Sequence, residues 1–138
     1  ILMSNQRDIS PRHDVIFPDI ISVIIADLHR AMQQALAMGM PLENIVIDPG
    51  LGFGKTQEQN LEIMRRLEEL KILNRPILLA SSRKSIIGRV LDLPPEQRLE
   101  GTMATIAIGI AKGADIVRVH DIKETIRVCK MSDAIIRA

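Results

Sequence analysis

A single cysteine, Cys129, leaves the chain without a partner for an internal disulfide. That points to a reducing, cytoplasmic setting. Surplus charge is lacking too: 18 Lys and Arg stand against 17 Asp and Glu, a formal net charge of +1. No basic stripe runs along any segment, which excludes nucleic acid as the default partner. No apolar run approaches the roughly 18 residues of a membrane-spanning helix, so no membrane partner is expected. Cys, His and Asp never recur at the spacing of a metal cage, so no metal ligands are expected in this chain. Nor does an initiator methionine or charged leader precede Ile1-Leu2-Met3. That opening is unlike a signal peptide. It reads as the end of a buried strand whose beginning has been cut away, so the chain is expected to be a piece of a longer protein.

What is present is apolar and periodic. Hydrophobic residues make up 46% of 138, which suits one soluble domain. After a polar loop from Ser4 to Asp14, Ile21, Ile24, Ile25, Leu28, Met32 and Leu36 keep helical spacing. They predict a helix from about Asp19 to Met38, stopped by Gly39 and Pro41. Residues 44–48 read as a buried strand, followed by a glycine-rich loop. Thr56-Gln57-Glu58-Gln59 is a capping-box pattern opening a helix that carries Leu61, Met64, Leu67 and Leu70. A strand over 76–80, a polar turn, a short helix and a loop at Pro94-Pro95 come next. A small-residue helix spans about Gly101 to Lys112, a strand 115–119, and a last helix runs from about Lys123.

Short apolar strands alternating with helices predict a parallel sheet covered by helices. Two architectures remain open: a doubly wound open sheet, or part of a (β/α) barrel. A full barrel takes eight such units and about 250 residues; four units are here. The polar residues lean toward the barrel. Asp48, the Ser81–Lys84 turn, and Arg118 with His120 all stand where a strand ends, the face at which barrel sites collect.

Three constellations carry chemistry. Asp48-Pro49-Gly50-Leu51-Gly52-Phe53-Gly54-Lys55-Thr56 ends like a phosphate-binding loop, but Pro49 occupies the position of the required first glycine. The glycines also miss the dinucleotide spacing, which removes both nucleotide readings. Glycines here let a flat ligand approach backbone, and Asp48 can accept two N–H groups from a guanidine-like heterocycle edge. The structural alternative is that Asp48 caps its own turn. Ser81-Ser82-Arg83-Lys84-Ser85 packs two cations into a turn, suited to ring acceptors or anions, unless the turn is merely solvated. In Arg118-Val119-His120-Asp121, residues two apart share a strand face. Arg118 and His120 should point together, away from Val117 and Val119, and suit an anion such as a leaving phosphate. The alternative is an Arg–Asp pair with a hydrogen-bonded histidine. His13 and His29 are expected to face solvent, and Cys129 to be packed.

Taken in order, D-P-G-x-G-F-x-K at Asp48, S-R-K-S at Ser82, G-T-x-A at Gly101 and R-V-H-D at Arg118 resemble the dihydropteroate synthase family. Leu2-Met3 is similar to the end of a preceding family strand. The resemblance covers essentially the whole chain. It implies a pterin-binding (β/α)8 TIM barrel, usually dimeric, of which residues 1–138 are the C-terminal (β/α)4 half of one domain. It implies condensation of 6-hydroxymethyl-7,8-dihydropterin pyrophosphate with p-aminobenzoate, the reaction that sulfonamides target. Asp48 would bind the pterin edge and Lys84 its ring. Arg118 would stack on the pterin and hold pyrophosphate with His120. Lys84, Arg118 and His120 are the implied catalytic residues. Phe53 and Ser85 would flank the aminobenzoate, and Met3 would lie near the pterin. Mg2+ is implied as cofactor, with ligands in an N-terminal half not present here. One departure is Ser4, where the family usually has histidine, at a rim expected to face the ligand. A methyltetrahydrofolate methyltransferase barrel is the alternative enzyme, though it would lack the Ser82–Ser85 motif. A non-catalytic half-barrel, closed by a second copy or by its missing half, is the alternative of another class. The isolated chain is expected to be inactive.

Overall fold

The computed structural model of the protein describes residues 1–5 and 16–137. Most of the polar segment expected after Ser4, with His13, lies outside them. The described elements are β1 (Leu2–Met3), α1 (Ile20–Ala37), β2 (Ile47–Asp48), α2 (Gln57–Arg65), β3 (Leu78–Leu79), α3 (Ser85–Leu91), α4 (Leu99–Ala111), β4 (Ile116–Val117) and α5 (Ile122–Ile136). The fold is α/β.

Each strand pairs in parallel with a sequence neighbour. Leu2 lies beside Ile47 and Met3 beside Asp48; Leu78 lies beside Ile116 and Leu79 beside Val117. A bridge between Ile47 and Ile77 joins the two ladders. The spatial order is therefore β1-β2-β3-β4, with no reversal. The regular ladders are two residues long, shorter than the five-residue strands read from the sequence, although single backbone bonds extend them. Leu2 N–H donates to Val46 O, and Arg118 N–H donates to Leu79 O.

The helix layer follows from apolar spacing. Ile20, Ile21, Ile24, Leu28 and Met32 of α1 are buried and join a core built on Ile47, Leu67, Ile77 and Leu79. Leu36, expected on that stripe, is 37% exposed at the last turn of α1. Asp19 caps α1 by accepting from Ile21 N–H. The Thr56–Gln59 capping box forms in both directions. The helix beyond it is not continuous: α2 stops at Arg65, and Leu67–Leu73 is a 3-10 helix. Residues three apart eclipse in that geometry, which aligns Leu67 and Leu70, both fully buried, with Leu73 against the core. Helix α4 starts two residues earlier than Gly101. It lies close over β3 because Gly109 has no side chain; a Cβ there would meet Leu79 Cδ2 at 2.2 Å. Among the described residues no helix is long and apolar enough to cross a membrane.

Candidate functional site

The C-terminal ends of β2, β3 and β4 gather the charged residues. Ala80, Ser82, Lys84, Arg118, Val119 and His120 line one cavity of about 270 Å3. Asp48 belongs to the same electrostatic cluster: the charges of Lys84 and Arg118 both act on its carboxyl. Lys84, Arg118 and His120 are therefore brought together, with Asp48 beside them. A larger apolar cavity, about 460 Å3, opens on the outer helices between α2, α3 and α4. It is far poorer in polar groups and holds none of these residues. The smaller cavity is the candidate site because ionisable groups converge there.

Asp48 is 7% exposed. One carboxylate oxygen accepts from Gly50 N–H at 2.7 Å, so the turn-capping reading holds for that oxygen. The other accepts no hydrogen bond from the described residues. Burial raises the carboxyl above the ordinary aspartate value, and the Gly50 N–H with the Lys84, Lys55 and Arg118 charges offset part of that shift.

Lys84 is the N-cap residue of α3. Its ammonium donates to Leu51 O at 2.7 Å and stands 5.0 Å from the centre of the Phe53 ring. The β3 turn and the loop after β2 thus meet over Phe53. Ser85, the next residue, is exposed. Met3 is 38% exposed and pairs with Asp48 in the ladder, which sets it at the same end.

Arg118 is exposed and makes no ion pair among the described residues. His120 Nδ1 lies 2.8 Å from Ser82 Oγ, and Ser82 Oγ also accepts from His120 N–H at 3.2 Å. The hydrogen-bonded histidine is real, but the arginine that pairs with Asp121 is Arg83, through Nε at 3.1 Å and Nη2 at 2.6 Å. Arg83 is thereby consumed in tying the β3 turn to the β4 end and does not face the cavity. The strict strand alternation expected past Val117 also fails. The ladder ends at Val117, so Val119 is free to line the cavity with Arg118 and His120.

Helix α4 holds the β3 turn. Arg83 sits at φ +56°, its N–H donating to Thr102 Oγ1 at 3.0 Å. Ser81 Oγ meets Thr105 Oγ1 at 2.8 Å, and Arg98 Nη1 donates to Arg83 O at 2.8 Å. Ser4 turns away from the rim. It is 2% exposed, and its Oγ donates to Asp27 on α1.

Sequence reasoning passed over Lys55 and Asn60. Lys55 is 2% exposed, and burial pulls its ammonium down to about 8. Asn60 accepts from Gly52 N–H and donates to Lys55 O and Thr56 O, which fixes the loop from the α2 side. Cys129 is partly buried, and burial raises its thiol, so it is not an activated nucleophile. His29 is exposed on α1. Among the described residues no group of three or more His, Cys, Asp or Glu could hold a metal ion.

The family described as pterin binding enzyme matches residues 1–120. A dihydropteroate synthase of Bacillus subtilis is 50% identical over 120 residues, which are 87% of this chain and 42% of that protein. A Clostridium difficile dihydropteroate synthase, solved in the presence of pteroic acid, superposes with a TM-score of 0.91 at 48% identity, covering 99% of this chain and 50% of that one. A Yersinia pestis dihydropteroate synthase in a sulfonamide drug complex superposes with a TM-score of 0.93 at 33% identity, again over 99% and 50%. The chain thus spans about half the length of the relatives it matches.

Proposed function

Because the chain belongs to the pterin-binding enzyme family, we propose that it forms half of a dihydropteroate synthase. That enzyme joins 6-hydroxymethyl-7,8-dihydropterin pyrophosphate to p-aminobenzoate. The aromatic amine forms a C–N bond to the pterin methylene, the C–O bond to pyrophosphate breaks, and the amine loses a proton. The observation that carries this reading is the meeting of Asp48, Lys84, Arg118 and His120 at three adjacent strand ends.

Each residue has a task within it. The Asp48 oxygen left over from the Gly50 turn accepts from the pterin amino group and ring N–H. Lys84 donates to ring acceptors and packs on Phe53, which with Ser85 borders the aminobenzoate. Met3 lies against the pterin. Arg118 stacks on the pterin and, with His120, meets the pyrophosphate. Negative charge grows on pyrophosphate as it leaves, so cations already fixed there favour the transition state over the substrate. An aromatic amine is neutral near pH 7, so little general-base work is required.

The wider architecture belongs to the same proposal. The order β1-β2-β3-β4 lacks the reversal that defines a doubly wound sheet, and it fits a (β/α)4 arc of an eight-stranded TIM barrel. Residues 1–138 are then one half of a single domain. The remaining pterin contacts and the Mg2+ ligands lie in the other half, which is the first partner of this chain. The whole enzyme works in the cytoplasm as a homodimer.

The test is pyrophosphate release by the full-length protein and by residues 1–138 alone. The full-length protein should release pyrophosphate only when both substrates are present, and the isolated chain should release none. A full-length protein that is silent with both substrates contradicts the assignment. Robust turnover by the isolated chain contradicts the claim that half of the site lies elsewhere.

A further inference from the structure

Lys55 is a charged side chain that the proposed chemistry leaves unused, yet it is among the most completely enclosed groups in the protein, 2% exposed. Its ammonium donates to Ser4 O at 3.0 Å, Gly50 O at 2.9 Å and Phe53 O at 3.1 Å. An ammonium has three N–H donors and no acceptor, so three carbonyls match it bond for bond. The carbonyls come from two segments. Ser4 follows β1, whereas Gly50 and Phe53 belong to the loop after β2. The loop is pressed so near β1 that a Cβ at Gly50 would lie 1.9 Å from Ser4 O.

The residues so clamped neighbour the site. Ser4 follows Met3, Gly50 takes the Asp48 carboxylate on its N–H, and Phe53 carries the ring under Lys84. We propose that Lys55 is a positioning residue for the aromatic amine, touching neither substrate and fixing the Phe53 ring and the Asp48 carboxylate against the end of β1. This rests on the dihydropteroate synthase reading.

The clamp needs the proton. A neutral amine keeps two N–H donors and turns a lone pair toward the third carbonyl. Among the described residues, three charges act on Lys55: Asp48 from the end of β2, Asp27 from α1 and Lys84 from the start of α3. Burial lowers Lys55 to about 8, the two carboxylates oppose that, and Lys84 reinforces it. The clamp therefore loosens as pH rises through that value.

The experiment uses the full-length protein. KM for p-aminobenzoate is measured at saturating pterin pyrophosphate on both sides of pH 8. The ionisable groups of p-aminobenzoate do not titrate there. The Lys55 Cε resonance is followed by NMR over the same range. Wild-type KM should rise with the Lys55 titration, by roughly tenfold or more, the scale of a misplaced substrate contact. Lys55→Gln should show a raised KM with no such pH step and a smaller change in kcat. A variant that melts earlier but keeps the wild-type KM and its pH profile overturns the proposal. If Lys55→Gln does not fold, a wild-type KM that stays flat while Lys55 titrates overturns it equally. No turnover at any pH would overturn the functional reading as well, whereas turnover with KM indifferent to both pH and Lys55 overturns this proposal alone.

Discussion

The loop after β2 and the end of β4 both carry charge to the rim of the sheet, and they use it in opposite ways. In the loop the polar groups turn inward. Lys55 is spent on three carbonyls, Asn60 on the loop backbone and one oxygen of Asp48 on Gly50. At the end of β4, Arg118 makes no ion pair among the described residues and lines the cavity. A cation surrounded by carbonyls shapes the site, whereas one left open is available to a ligand. Arg83 shows that open is not the default for a rim arginine, because both of its forked N–H groups close on Asp121.

Four substitutions or conditions can break this contrast. The largest effect is expected at Arg118. In the full-length enzyme, Arg118→Ala should lower kcat/KM by roughly 10²–10³, the scale of losing one transition-state donor, while the melting temperature barely moves. Steady-state kinetics beside calorimetry check this, and a variant that melts early but turns over normally reverses the assignment of the two regions. Next comes Gly50→Ala, on the closed side. The residue sits at φ +71° with Ser4 O against the missing Cβ. Left-handed strain and overpacking together should cost about 2–4 kcal/mol, read from denaturant unfolding.

Lys55 gives an effect bounded by its shift. Its folded value, about 8, lies below the ordinary lysine value of 10.5. Between those values the unfolded chain holds the proton more often, so stability rises with pH across that window. Wild type should gain on Lys55→Met there by at most on the order of 3 kcal/mol. A gap that narrows with rising pH would mean that the fold holds the Lys55 proton more tightly than the unfolded chain does, the opposite of a burial-lowered ammonium. The smallest effect is expected at Arg83. Its pair with Asp121 is partly exposed, and such pairs contribute about 1 kcal/mol or less. Arg83→Ala should therefore lower the melting temperature slightly and leave pterin affinity within about twofold, as titration calorimetry would read it.

The fold was largely legible because its elements repeat at helical and strand periods. The α1 stripe from Ile21 to Met32 and the Thr56–Gln59 box formed as their spacing predicts. The break at Arg66 was not legible. Leu67 and Leu70 suit an α-helix and a 3-10 helix equally, and packing against the core selects the latter. Of the candidate site, Asp48, Lys84, Arg118 and His120 could be placed from their positions at strand ends. The pairing of Asp121 with Arg83 could not, because only the fold brings residues 38 apart into contact. Lys55 was hidden for a different reason. Lysine is ordinarily a surface residue, and nothing in a glycine-rich stretch announces three carbonyls converging on one side chain.

The most direct test of the account is a crystal structure of the full-length protein with the dihydropterin pyrophosphate bound. The account predicts the pterin amino group and ring N–H on the Asp48 carboxylate. It places the pyrophosphate beside Arg118 and His120, and leaves Lys55 still bonded to Ser4, Gly50 and Phe53 without touching the ligand. A pterin seated away from the ends of β2, β3 and β4, or a pyrophosphate held without Arg118, would contradict it.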